Sequence, residues 1–248
     1  MLAIFKKELR SYFINPIGYV YVGVFLTIAA LLCCFSTLLS NSYDVTGYFM
    51  YMLVALIILI PILTMRLFSE ERKMRTEQLL LTAPVSLTGM VLGKFFAALT
   101  LYASTLLLSC VNFIPLYVIA DAERGGQETV VNRIGPVTGQ LVGCLVSLLL
   151  IGAAFIAVGT FISALTENQL AAAVLTIAVI GVMVGVGLIS SFINVYWIRV
   201  ALSWVSVLSR FGNFTNGLFD YAAILYYVSL SFIFLFLTVR VYEKRRWS

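Results

Sequence analysis

The amino-acid sequence predicts an all-α integral membrane protein with six transmembrane helices. Three observations lead there. The 248 residues are 62% hydrophobic and only 11% charged. The chain holds six long runs without Asp, Glu, Lys or Arg, and its basic residues gather at one set of run ends. Soluble domains are nearer half apolar and a quarter charged. A mean hydropathy of +1.04 leaves more apolar surface than a soluble core of this size can hide, so lipid is the solvent that surface requires.

Each element follows from its own stretch. The chain starts MLAIFKKELRSYF. Leu2, Phe5, Leu9 and Phe13 share one helical face, and Lys6, Lys7 and Arg10 cluster on another, the pattern of an amphipathic helix over residues 1–15 lying in the membrane interface. Asn15-Pro16 ends it. Spans are expected at 17–40, 47–65, 95–120, 137–164, 170–193 and 221–239, each near or above the roughly 20 residues that cross a bilayer. The fourth is long enough to tilt. Residues 121–136 read as a polar outer loop. In 194–220, Tyr196, Trp197, Val200, Trp204 and Phe211 recur at roughly helical spacing, which suits outer re-entrant or interfacial helices before the last span.

Charge sets the orientation. Lys6, Lys7, Arg10, Arg66, Arg72, Lys73, Arg75, Lys94, Arg240, Lys244, Arg245 and Arg246 fall on one side, and Arg124, Arg133, Arg199 and Arg210 on the other. Basic residues are retained in the cytoplasm, so both termini are expected inside. The short turn 165–169 falls inside by parity.

Composition also excludes. There is no histidine, which removes His-metal sites and His-based catalytic pairs. Cys33, Cys34, Cys110 and Cys144 lie in apolar runs and read as small hydrophobes, so neither a metal site nor a disulfide is expected. The basic residues do not form a nucleic-acid-binding face. A phosphate-binding loop needs G-x-x-x-x-G-K-[ST]. The nearest approach, Gly89 to Phe95, is one residue short and lacks the Ser/Thr, so Gly93-Lys94 reads as helix packing with a lysine snorkelling to the interface. No catalytic residue is expected on this chain.

The longest inside loop, SEERKMRTEQLLLTAPVSLTGMVLGK from Ser69, is also the most charged. Ser69 is placed to cap a helix whose first turn holds Glu70 and Glu71. Glu71 with Arg75 and Lys73 with Glu77 are spaced to pair, and Pro84 stops the helix near Thr82 or Ala83. The expected helix spans 70–82, a stiff rod of ~20 Å. By spacing alone it is either a solvated positive-inside loop or a rod that takes force from a partner. Gly135, Gly139 and Gly143, and Gly181 and Gly185, repeat every four residues. That spacing suits close helix approach, either within the chain or at a dimer seam.

Beyond spacing, the loop resembles the coupling segment of type-2 (exporter-like) ABC transporter permeases, in particular their gliding-motility-type branch. The matching residues are Glu71-Arg72-Lys73, Thr76, Gln78-Leu79-Leu80, Thr82, Pro84-Val85 and Gly93-Lys94. Phe5-Lys6-Lys7-Glu8-Leu9 through Pro16, Ser163 to Gln169, and FGNFTNGLFDYAAILYY (211–227) match further stretches of that family in the same order. Arg75 departs from it, standing where many members have glycine. The resemblance implies a single permease domain over 1–248, in the cell (plasma/inner) membrane of a bacterium, moving a substrate outward. It implies a second permease half and two copies of an ABC ATPase, with ATP and Mg on the ATPase and no cofactor on this chain. It implies an ATPase contact at Glu70, Glu71, Arg72, Lys73, Thr76, Glu77, Gln78 and Leu80, and a second inside contact at Thr166, Glu167, Asn168 and Gln169. Three other readings stand beside it. A non-transporting scaffold or sensor would keep the same fold. An ion-coupled carrier would place carboxylates inside spans, whereas Glu167 and Asp220 lie at span ends as expected helix caps. A membrane enzyme would need nucleophile and base pairs that the spans lack. The substrate is not written in the sequence.

Overall fold

The computed structural model describes residues 1–40, 43–75, 86–123, 137–190, 206–215, 217, 218 and 220–247, together with Trp197. Helix α1 (Leu2–Ile14) ends because Asn15 is extended. Pro16, which has no N–H to donate, then opens α2 (Pro16–Cys33), and a π-helical turn prolongs α2 through Leu38. Asp44 accepts the Thr46 N–H at 2.9 Å where α3 (Thr46–Thr64) begins. A tight turn leads to α4 (Ser69–Lys73). Ser86 caps α5 (Leu87–Ser109), which passes through a 3-10 turn into α6 (Ile114–Glu123). Then come α7 (Thr138–Leu165), α8 (Gln169–Ser190), α9 (Val207–Thr215) and α10 (Tyr221–Trp247). No strand occurs among the described residues.

Six helical stretches are long and apolar enough to cross a membrane: Pro16–Leu38, Thr46–Lys73, Leu87–Ala122, Thr138–Leu165, Gln169–Ile189 and Tyr221–Arg246. The protein is thus all-α with the six spans expected. The third starts at Leu87 rather than 95, because the charge taken as its boundary, Lys94, lies inside the helix. The last runs beyond 239, because backbone hydrogen bonding continues under charged side chains. Lys244, Arg245 and Arg246 sit in its final turn, where the helix dipole favours cations.

Helix α7 is the centre of the bundle and packs against α3, α5, α8, α9 and α10. Lipid offers apolar groups as good a solvent as the core does, so close fit has to hold such helices together. On α7, Gly152 lies against the Tyr102 ring and Gly159 against Thr64, and a Cβ at either would overlap them. The Tyr102 hydroxyl then donates to the Leu148 carbonyl at 2.8 Å. Sequence spacing placed the close approach elsewhere. Gly139 and Gly185 meet nothing within 4 Å, and Gly143 and Gly181 make ordinary contacts at 3.5 and 4.0 Å. Gly135 lies outside the described residues. Four-residue spacing marks a face but not whether a bulky side chain fills it.

The amphipathic helix α9 buries Val207, Phe211 and Phe214 against α7 and α8. Phe211, expected at the outer interface, is therefore a core residue, while Trp197 is exposed. Tyr196, Val200 and Trp204 lie outside the described residues.

Contacts sort the helix ends into two groups. At one end Gln140 on α7 donates to Thr46 Oγ1 at 2.8 Å and to the Thr215 carbonyl. At the other meet α1, the end of α3, α4, the start of α5, the ends of α7 and α10, and the 165–169 turn. This is the alternation that six crossings require. The second group carries most of the basic residues and is called the basic end below.

Candidate functional site

The basic end is built around the turn that joins α3 to α4. Ser69 does not cap α4 as expected. Its side chain is buried and bonds back to the Met65 carbonyl. The cap comes from the fourth span, where Ser163 Oγ accepts the N–H groups of Phe68 at 3.1 Å and Ser69 at 3.2 Å. Residues 94 and 95 positions away lie beyond the reach of a local capping rule.

Helix α4 is also shorter than the rod expected over 70–82. It ends at Lys73, and Arg75 adopts the left-handed conformation, φ 57°. An L-residue in that region is incompatible with a continuous right-handed helix. Arg75 stands where the resembling permeases often have glycine, the residue that adopts positive φ without strain. Thr76, Glu77, Gln78 and Leu80, with the proposed Lys73–Glu77 pair and Pro84, lie outside the described residues.

The four site residues on α4 have distinct surroundings. Glu70 receives a two-pronged pair from Arg66, both bonds at 2.7 Å. Glu71 does not depend on Arg75 as a local partner. It turns inward to Lys94 Nζ at 2.9 Å, with Lys7 Nζ at 3.9 Å. Arg72 reaches the second inside contact, pairing with Glu167 at 2.8 Å and donating to the Leu165 carbonyl at 2.8 Å. Lys73 is exposed. Glu167 is therefore a solvent-exposed ion-pair partner rather than the helix cap expected. Asn168 serves as the cap, its Oδ1 accepting the Leu170 N–H at 3.0 Å. Thr166 is half-buried and donates to the Ile162 carbonyl, and Gln169 opens α8. From α10, Arg245 donates to the Ala164 carbonyl at 2.7 Å, and the Tyr242 ring packs 5.0 Å from Phe68.

Lys94 is the largest departure from the sequence reading. It does not snorkel. Its side chain is 1% exposed, and its ammonium bonds Glu8 Oε1 at 3.0 Å, Glu71 Oε1 at 2.9 Å and the Leu67 carbonyl at 2.6 Å. The Phe68 ring lies 5.1 Å from it. Gly93 does serve helix packing, against Met1 and Ile4 of α1. Helix α1 accordingly has three faces. Leu2 and Phe13 are exposed on the expected apolar side, and Lys6, Lys7 and Arg10 are exposed on the basic side. The third, carrying Ile4, Glu8 and Tyr12, docks on the protein. The Tyr12 hydroxyl donates to the Leu63 carbonyl at 3.3 Å; burial first, and then the Glu8 carboxylate, push its pKa well above the ordinary value.

Sequence reasoning thus missed Glu8, Arg66, Ser163 and Arg245 and misassigned Lys94. The available signal was the lone acid, Glu8, among three bases on α1. Chemically the described part of the site offers fixed charge pairs. Among the described residues, no group of Cys, Asp or Glu gathers to hold a metal.

A family model described as ABC-2 family transporter protein matches residues 35–242. The chain belongs to the ABC-2 transporter family. Comparison with curated proteins returns no match. As an ABC-2 permease with six apolar spans, the chain is a multi-pass membrane protein and a non-catalytic membrane subunit of an ABC transporter. ABC-2 permeases in general work with an ATPase partner in a dimeric arrangement.

Proposed function

We propose that this ABC-2 permease forms half of an exporter, driven by ATP hydrolysed on a separate subunit. Its basic end faces the cytoplasm. Residues 70–82 and 165–169 together form the docking surface for one ATPase, and a second permease half brings a second ATPase copy. One observation carries the reading: Arg72 joins the two segments through Glu167 and the Leu165 carbonyl, so a push on either is felt by both. Nucleotide and Mg stay on the ATPase, and ATP-driven closure there moves the joined segments and the spans behind them. The resemblance to the gliding-motility-type branch supports outward transport.

Purification of the tagged chain from its native membrane tests this. An ABC ATPase is expected to co-purify and to hydrolyse ATP. The charge reversal Arg72→Glu should cut its recovery several-fold while the permease still inserts in the membrane. A preparation with no ATPase, or unchanged recovery with Arg72→Glu, overturns the assignment.

A further inference from the structure

One ammonium group has three hydrogens to donate. Those of Lys94 have one acceptor each, on three separate elements: the turn after α3 at Leu67, α4 at Glu71 and α1 at Glu8. Lys94 itself belongs to α5. It is buried, and the side chains of Glu8 and Glu71 keep only 14% and 17% of their exposure. A buried ion pair adds little net stability over apolar packing, but removing one partner leaves a costly uncompensated charge. The cluster therefore fixes relative position more than it adds stability. If α4 shifts, Glu71 carries Lys94 with it, and Glu8 must follow or lose its counter-ion. Lys7 near Glu71 and the Tyr12–Leu63 hydrogen bond lie along the same seam. Helix α1 in turn is joined to the first span by the single residue Asn15, and across that joint Phe13 packs 5.9 Å from Tyr19 and Tyr12 lies against Gly18.

Resting on the reading of α4 as an ATPase contact, we propose that Lys94 is a positioning residue that makes α1 a second lever. Displacement of α4 by the ATPase passes through Lys94 and Glu8 to α1, and through Asn15-Pro16 to the first span. The ATPase then drives the membrane by two routes, one through α3 and α5 and one through α2.

The test uses the permease–ATPase complex in lipid nanodiscs, with Cys33, Cys34, Cys110 and Cys144 replaced by alanine. A bimane fluorophore is placed on one of two exposed sites, Lys73→Cys on α4 or Ile14→Cys on α1. Emission is compared without nucleotide and after trapping with ATP and vanadate. Both probes should shift in the otherwise unchanged protein. With Glu8→Leu, which leaves Lys94 paired to Glu71, the Ile14 probe should lose its shift while the Lys73 probe keeps its own. If Glu8→Leu does not fold, Glu8→Gln should weaken the Ile14 response selectively. A silent Lys73 probe in the unchanged protein overturns the ATPase-contact reading itself. A responsive Lys73 probe beside a silent Ile14 probe, or an Ile14 shift that survives both Glu8 variants, overturns only the second lever. Arg240→Gln, at an exposed pair with Glu243, serves as the control and should alter neither probe.

Discussion

The two ends of the bundle are held by different chemistry. At the basic end, Lys94, Arg66, Arg72 and Arg245 make charged contacts that cross from element to element or brace the α3–α4 turn. The contacts described at the opposite end are mainly hydrogen bonds and packed rings, beside the Arg210 guanidinium 4.4 Å over the Tyr226 ring and the Asp220 carboxylate. Gln140 bridges Thr46 and Thr215, Cys33 Sγ lies 3.5 Å from the Asn112 carbonyl, and Phe113 packs on Tyr48 and Phe49. A neutral hydrogen bond adds only about 1 kcal/mol net, because water replaces either partner. A buried charge has no such substitute. Lys94 is the buried charge of the basic end, so the elements that meet on it are harder to part than those joined at the opposite end.

The sharpest way to break this contrast is Lys94→Glu, which sets three carboxylates together where one cation joined two. Uncompensated buried charge costs roughly 3–5 kcal/mol; residual hydration of Glu8 and Glu71 trims that figure. The variant should melt far below the parent in detergent or fail to accumulate in the membrane. A near-parental melting temperature would remove the cluster from its central place. Gln140→Leu makes the corresponding cut at the opposite end and should cost about 1–2 kcal/mol, for two hydrogen bonds of ordinary worth. A loss as large as that of Lys94→Glu would erase the difference between the ends. The smallest effect is expected at Asp220, which caps α10 through the Ala222 N–H and accepts from Asn213 at 2.8 Å. The Asn213 amide first, and then the Ala222 N–H, hold its carboxyl below the ordinary value. Its contribution is therefore complete at neutral pH and disappears as pH falls through that lowered value. Melting curves of the parent and Asp220→Asn should differ slightly at neutral pH and merge in acid.

Span number, the break at Asn15-Pro16 and the Asp220 cap were legible in the sequence, because each depends on neighbours within a few residues. The site was legible only in part. Glu71 and Arg72 stood among the site candidates, but local pairing rules sought a partner for Glu71 at Arg75 and named none for Arg72. The structure supplies them at Lys94 and Glu167, from other spans. Lys94 was misplaced for a related reason: a lysine beside an apolar run reads as its end unless two acids from distant segments are known to meet it. Arg75 is the converse case. The departure from glycine was visible, and only the backbone shows what glycine would have served there.

Ser163 has a consequence of a mechanical kind. Its hydroxyl accepts two N–H groups from the α3–α4 turn and donates to the Met65 carbonyl at 3.3 Å, using every donor and acceptor it has. Three bonds converge on one atom, which fixes where the turn sits but constrains its angle far less. That is a ball joint. The far end of α4 lies about 8 Å from it at 1.5 Å per residue, so the angle of the helix on this fulcrum is left to the ion pairs of Glu70, Glu71 and Arg72.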